Sequence, residues 1–364
     1  MSTNFRPIIT SRQLLVLLIG ATLPTESLLQ PGPLIVAFGK DALWVILGGG
    51  LLATLPLLAT LLILRRQQRR TLAETLGRHG IVGRLVPILF ATGTMLGLIN
   101  IWASFAQLLR ADLLPSTPAW VTTGSGAAAV LYGAIGGPEV VGRVAQVLVP
   151  FFVAETGMMF VVAAPWFEPV HLLPLLPEHG LSLTSGIYQV FTFLAEISFA
   201  TYFGSLVRDS HRISRVLWTA LVINTLLLLL MTALPLLMFG VDHAKLLAVP
   251  PLSAVRAIHY GFLVERLDAF VAGPWATFIA IKLIIWTVFA SSLLADVFGR
   301  RAFFWSVWLI TAGASTFSLG LGSLTAVQTN LPEAWYDTGA PLILTALVVA
   351  ALAVGRRGRG PTRA

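Results

Sequence analysis

Ten stretches of about twenty apolar residues, each bounded by charge, proline or glycine, run through this chain and restrict its fold more than any other feature. About twenty residues rising 1.5 Å each cross a hydrocarbon layer about 30 Å thick. Inside such a layer every backbone polar group needs a partner within the protein, which leaves helices or a closed barrel. Runs of this length fit helices. They cover approximately 13–36, 41–64, 85–109, 119–137, 141–165, 184–207, 214–239, 267–295, 301–321 and 339–355. The expected fold is therefore an all-α membrane protein with ten transmembrane helices, forming one integral membrane domain over residues 1–364. Composition agrees. The chain is 56% hydrophobic and 11% charged, whereas a soluble protein carries about 25% charged residues.

Charge sets the orientation. Lys40, Arg110, Lys245, Arg256 and Arg266 fall on one side of the expected bilayer, Lys282 lies within the eighth run, and all other Lys and Arg fall on the side of the termini. By the positive-inside rule both termini are expected to be cytoplasmic. The formal charge of +8 is then a topology signal. The basic clusters Arg65, Arg66, Arg69, Arg70 and Arg356, Arg357, Arg359, Arg363 fit anionic lipid headgroups; without interleaved aromatics they do not fit nucleic acid. The first run is too long for a signal peptide and lacks a small-residue cleavage site, so it is expected to remain as a helix. Residues 71–80 read as a short interfacial helix, and 242–266 as an external helix lying on the membrane.

The absence of cysteine excludes disulfides, thiolate metal sites and cysteine nucleophiles. The six histidines fall in loops without metal-ligand spacing, and no phosphate-binding loop, dinucleotide fingerprint or nucleophile motif is present. Neither an enzyme, a cofactor nor a metal site is expected.

Four ionisable residues sit near mid-depth: Glu26, Glu155, Glu196 and Lys282. An ionisable group in hydrocarbon costs several kcal/mol unless paired or hydrated, so each is a functional candidate. Four at one depth are expected to face a shared, hydrated interior; the alternative is one ion pair with neutral carboxyls serving as packing elements. Pro24, with Gly20, Ala21 and Thr22 before it, disfavours an unbroken first helix. The result is either a simple proline kink or a break that leaves amides near Ala21 to Leu23 facing an anion. On the third run Asn100, Ser104 and Gln107 share one face, where they line the same cavity or bond helix to helix. Asn224 on the seventh run is expected to bond between helices.

A broken first helix, midplane charges and ten helices resemble the amino acid/polyamine/organocation transporter superfamily, built as two inverted five-helix repeats. More particular stretches are ITSRQLLVLLIGATLP, KDALW, GGPEVVGRVAQVLVPF, LLPLLPEHG, FLAEISFATYFGSLV and VPPLSAVRAIHYGFLVERLDAFVAGPW. These resemble the B subunit of nutrient germinant receptors, in the spore germination protein family. The resemblance implies a LeuT-like 5+5 fold with broken helices 1 and 6, a small nutrient ligand such as an amino acid, and residence in the bacterial inner spore membrane. It also implies two partners, an A subunit and a C-subunit lipoprotein. A ligand carboxylate would dock on amides of Gly20, Ala21, Thr22 and Leu23, and its ammonium near Glu196 and the carbonyls of Phe193 and Leu194. Two other readings stand beside this one. One is a proton-coupled or exchanging amino acid permease, in which the Lys282 ammonium cycles between paired and free states as Glu26 or Glu155 takes up a proton. The other is a membrane scaffold with a dry interior.

Overall fold

A computed structural model describes residues 8–67, 70–77, 80–109, 114, 116–174, 177, 183–258, 267–320 and 335–355, and among them the chain is helical. The only β-type pairing among these residues is one parallel bridge between Ile9 and Val207. In chain order the helices are α1 (Ser11–Leu28), α2 (Pro31–Phe38), α3 (Ala42–Leu52), α4 (Thr54–Gln67), α5 (Leu72–Leu76), α6 (Val82–Leu108), α7 (Ala119–Ile135) and α8 (Gly137–Ala163). They continue with α9 (Thr184–Leu194), α10 (Ala200–Phe203), α11 (Ile213–Ala244), α12 (Pro250–Ala257), α13 (Leu267–Phe298), α14 (Arg300–Gly320) and α15 (Ala340–Gly355). Seven helical segments are long and apolar enough to cross a membrane, among them Pro31–Gln67, Gly137–Trp166 and Gly273–Phe298. The protein is an integral membrane protein. The expected spans 1, 4 and 6 are not among the seven. The first and sixth are subdivided, and α7 is only 17 residues long.

Helix 1 departs from expectation in where it bends. α1 runs unbroken through Gly20–Thr22 and Pro24 to Leu28, and the change of direction falls at Leu29–Gln30. Pro24 removes one amide donor, but neighbouring side chains occupy the carbonyls of this stretch. Thr22 Oγ1 donates to the Leu18 carbonyl, Thr25 Oγ1 to Thr22, and Ser27 Oγ to Pro24, over 2.9–3.2 Å. Two indoles on α13 add to this: Trp275 Nε1 donates to the Pro24 carbonyl at 2.8 Å, and Trp286 Nε1 to Ala21 at 3.3 Å. The ladder stops instead before Pro31, which sits in the first turn of α2 where a missing N–H does no harm.

Helix 6 is wound tighter at its middle. α9 ends at Leu194, Ala195–Phe199 form a 3-10 stretch containing Glu196, and α10 resumes at Ala200. Three-residue repeats inside an α-helix have poorer hydrogen-bond geometry and often mark a hinge. The short helix expected over 71–80 is α5, opened by a capping box in which Thr71 Oγ1 accepts from Glu74 N–H and Glu74 returns the bond to the Thr71 amide. In the 242–266 region α11 reaches Ala244 past a turn at Gly240, and α12 follows; residues 259–266, like the basic tail from Arg356, lie outside the described residues.

α13 is the most enclosed of the seven spans, with 78% of its apolar window buried against 28% for the span of α8. It packs on α1, α6, α7, α8 and α14. On the opposite flank three successive glycines let α3 approach two neighbours at once. A Cβ on Gly48 would lie 3.0 Å from Ile187, one on Gly49 2.5 Å from Val190, and one on Gly50 2.7 Å from Thr225. Small residues at such contacts allow close backbone approach between membrane helices.

Where α1 begins, it is strapped to the end of helix 6. The amides of Ile8 and Ile9 donate to the Leu206 carbonyl at 2.9 and 3.2 Å, and the Arg208 amide donates to Ile9 at 2.9 Å. Asp209 closes the strap by accepting the Ser11 amide at 2.9 Å and the Ser11 hydroxyl. The Ser11 hydroxyl, helped by the Ser11 amide and the Arg212 charge and opposed by partial burial, holds the Asp209 carboxyl below its ordinary value. A depressed carboxyl pKa contributes stability above the unfolded value, near pH 4, and loses it as pH falls through the folded value. Acidification through that window is expected to lower the hydrogen-exchange protection factors, taken against the intrinsic rate at each pH, of the Ile8, Ile9 and Arg208 amides. Asp209→Asn should show low protection factors already at neutral pH with no further loss in acid; an unchanged acid response in that variant would assign the effect elsewhere.

Candidate functional site

Of the four midplane ionisable residues, the structure joins two. Lys282 lies on α13 and is fully buried, and Glu196 lies in the 3-10 stretch of helix 6 with 3% of its surface exposed. Lys282 Nζ donates to both Glu196 oxygens at 3.1 Å and to Thr25 Oγ1 on α1 at 2.9 Å. The Thr25 hydroxyl donates its hydrogen bond to the Thr22 carbonyl, which leaves an oxygen lone pair to accept from the ammonium. One amine therefore ties α1, helix 6 and α13 together.

Aromatic rings complete the surroundings. The ammonium lies 5.1 Å from the Phe193 ring centroid and 5.0 Å from that of Trp286, within cation–π range. Phe199 stands edge-on to Trp286 at 5.1 Å and stacks on Phe289 at 4.1 Å. Thr25, Leu23, Leu194 and Phe193 are all buried. In this state the pair is enclosed by packed protein, a closed arrangement where the sequence led us to expect a hydrated one. Buried pairs of this kind need nearly ideal geometry and further hydrogen bonds to offset desolvation. Here all three ammonium donors have acceptors.

The remaining candidates are placed differently. Glu155 on α8 is buried with 8% exposure, and among the described residues neither carboxyl oxygen has a hydrogen-bond partner. One turn before it, Phe152 packs on Phe278 of α13 at 4.2 Å, and one turn after it Met159 joins an apolar cluster with Met231, Leu234 and Val255. Among the described residues, Glu155 makes no hydrogen bond or ion pair with the Lys282–Glu196 pair. The side chain of Glu26 lies outside the described residues, as does that of Gln107.

Gly20 packs against Val149, Ile281 and Ile285. Ala21, Thr22 and Leu23 lie within α1, so their amides are taken up by the helix instead of facing a ligand. Asn100 and Ser104 face each other along α6, with Ser104 Oγ 3.5 Å from Asn100 Oδ1. Asn224 bonds between helices as expected, donating to Thr22 Oγ1 at 3.0 Å. Residues that sequence reasoning passed over are Thr25, Trp275 and Trp286. Their signal was available: an indole N–H within an apolar span needs an acceptor, and a proline-bearing helix has under-bonded carbonyls to offer.

Comparison with known proteins supplies the rest. The profile of the family described as "Spore germination protein" matches residues 8–320. No curated protein sequence is detectably similar to the chain. Among solved structures, MhsT in complex with L-phenylalanine aligns with a TM-score of 0.62 at 12% identity, covering 96% of this chain and 93% of that one. A manganese transporter of Eremococcus coleocola, in complex with an aromatic bis-isothiourea compound, aligns with a TM-score of 0.52 at 17% identity over 96% of this chain and 80% of that one. At these identities the likeness concerns the fold, which is that of LeuT-type transporters.

Proposed function

Because this chain belongs to the spore germination protein family, we propose that it is the membrane subunit of a nutrient germinant receptor, which binds a small nutrient, an amino acid, at the Lys282–Glu196 pair. In this reading ten helices form a 5+5 inverted repeat with both termini cytoplasmic, set in the inner spore membrane. An A subunit and a C-subunit lipoprotein are its partners.

The observation that carries the proposal is the three-way clasp of Lys282 on Glu196 and Thr25. A zwitterion brings one group for each half of the pair: its carboxylate replaces Glu196 at the ammonium, and its ammonium replaces Lys282 at Glu196. The ligand thus exchanges an internal ion pair for two intermolecular ones without leaving a buried charge unmatched. Phe193 and Trp286 frame the cation side, and Gly20 to Leu23, Leu194, Asn100 and Ser104 form the surrounding wall. Taking α1 and helix 6 off α13 in this exchange shifts the balance between closed and open states. A ligand achieves such a shift only by favouring one state by several kcal/mol.

The test is ligand-induced stabilisation of the detergent-purified protein across the twenty amino acids, since a ligand specific to the folded state raises Tm. Glu196→Gln is expected to weaken binding of the active amino acid by about 10–100-fold, the worth of a hydrogen bond to a charged group. Each variant is compared with its own ligand-free Tm. Undiminished affinity in Glu196→Gln would refute the assignment.

A second reading, an amino acid permease, is favoured by Glu155. A buried carboxyl without a hydrogen-bond partner among the described residues, beside the helices that must move, suits a group that takes up and releases a proton or cation. Saturable, pH-driven uptake into proteoliposomes by the isolated chain, lost in Glu155→Gln, would support transport. Binding without flux would support sensing.

A further inference from the structure

At the end of the molecule where α2 meets α11, the chain forms a half-open cavity of about 490 Å³. Its walls come from the end of α2 and the 3-10 turn Gly39–Asp41, from the loop after α8, and from the last turns of α11. None of these residues belongs to the Lys282–Glu196 site. Two glycines in the left-handed region bring the walls together, Gly39 at φ 57° and Gly240 at φ 72°. A Cβ on Gly39 would lie 3.0 Å from Val241, and one on Gly240 would lie 3.3 Å from the His171 ring. Non-glycine residues would be strained there as well as crowded.

The wall is rigid where His171 stands. Its Nδ1 lies 3.1 Å from the Leu237 carbonyl, its Nε2 3.2 Å from Glu168, and the Glu168 amide donates to the same carbonyl at 2.9 Å. Two amines and two carboxylates line the space: Lys40 and Lys245, Asp41 and Asp242. The Lys245 ammonium reaches back over Gly39, 3.9 Å from the position of a Cβ there. Lys40 is held in place, donating to the Leu173 carbonyl at 3.3 Å. Phe38, Leu173 and Phe239 supply apolar surface between the charges.

A cavity of this size holds a small molecule. Its mixture of signs decides which kind. A lone anion would sit beside two carboxylates and a lone cation beside two amines, whereas a ligand carrying both charges satisfies both sets at once. We infer that this cavity is a second binding site, for a compact zwitterion of the α-amino acid class, with the carboxylate held by Lys40 and Lys245 and the ammonium by Asp242 and Asp41. The choice of ligand rests on the reading given under Proposed function.

The chain's lack of cysteine allows a direct test, because one introduced thiol is the only one present. Ala37 lines the cavity and is exposed, and exposed Val36 beside it does not line it. With full-length protein in proteoliposomes, glycine and alanine in the millimolar range are expected to slow alkylation of Ala37→Cys and leave Val36→Cys unaffected. Acetate and methylamine, each carrying one of the two charges, should protect weakly. Adding Lys245→Gln or Asp242→Asn should raise the concentration needed for protection about tenfold, the loss of one charged contact.

Protection by acetate equal to that by glycine, equal protection of both thiols, or no protection at all would each overturn the inference. Glu196→Gln separates the two sites. Protection at Ala37→Cys that survives in Glu196→Gln supports an independent outer site. Protection lost together with midplane binding overturns it. Should no amino acid raise Tm while protection at Ala37→Cys persists, the midplane reading fails and the outer site stands.

Discussion

Lys282→Met is expected to destabilise the folded protein by about 3–5 kcal/mol, the usual consequence of removing one partner of a buried ion pair. The loss would exceed that of any single hydrogen bond, because Glu196, with 3% exposure, is left either with an unmatched charge or with a proton it must take up inside the packed interior. Thr25 would lose its ammonium donor at the same time, leaving α1, helix 6 and α13 without their common contact. The double variant Lys282→Met, Glu196→Gln carries no unmatched charge and should recover most of the difference. Denaturant or thermal unfolding in detergent of the four proteins in this cycle measures the coupling directly. If the double variant is as unstable as Lys282→Met alone, packing around the amine is what holds these elements, and its charge is not.

Gly49→Val is expected to have an effect of similar size by a different route. A Cβ at this position would stand 2.5 Å from both Cβ and Cγ1 of Val190 and 3.1 Å from the backbone nitrogen of Phe191. Neither obstacle is the end of a flexible side chain, so α3 has to move off α9 as a body. Overpacking of this kind costs about 1–3 kcal/mol in a well-packed core, and more when backbone must shift. Because α9 leads directly into the stretch bearing Glu196, the displacement should also weaken amino acid binding. Gly77→Val is the control, since a Cβ on Gly77 meets nothing within 4 Å. Equal stability and binding for the two variants would show that α3 and α9 are not in fixed contact.

The physical reach of each signal explains what was legible in the sequence. Apolar length is local, and it places membrane helices without any knowledge of their neighbours. The depth argument picked out Lys282 and Glu196 because an ionisable side chain in an apolar run is improbable without a partner. It carried no angular information about separate helices, so it could not say which carboxyl would meet the amine. Proline was read as a breaker at Pro24, yet the hydroxyls of Thr22, Thr25 and Ser27 lie within one turn and back-bond to the helix, while Trp275 and Trp286 arrive from a helix some 250 residues away in sequence. The bend formed at Leu29–Gln30, directly before Pro31. For helix 6 no residue signal marks the 3-10 stretch; family resemblance pointed to a departure at Glu196, and the departure is a tightening. The run Gly48–Gly50 is a local signal of close helix contact, but its partners in α9 and α11 are set by the tertiary arrangement alone.

The fastening of Ile8 and Ile9 to Leu206 and of Ser11 to Asp209 has a mechanical consequence. The first helix cannot tip away from the sixth by small degrees at this end, because its backbone contacts and the carboxylate latch share the same few residues and must yield as a unit. Movement there is expected to be cooperative, because these contacts give way together. On the reading given under Proposed function, a nutrient acting halfway along the same two helices would meet little response until the fastening yields as a whole.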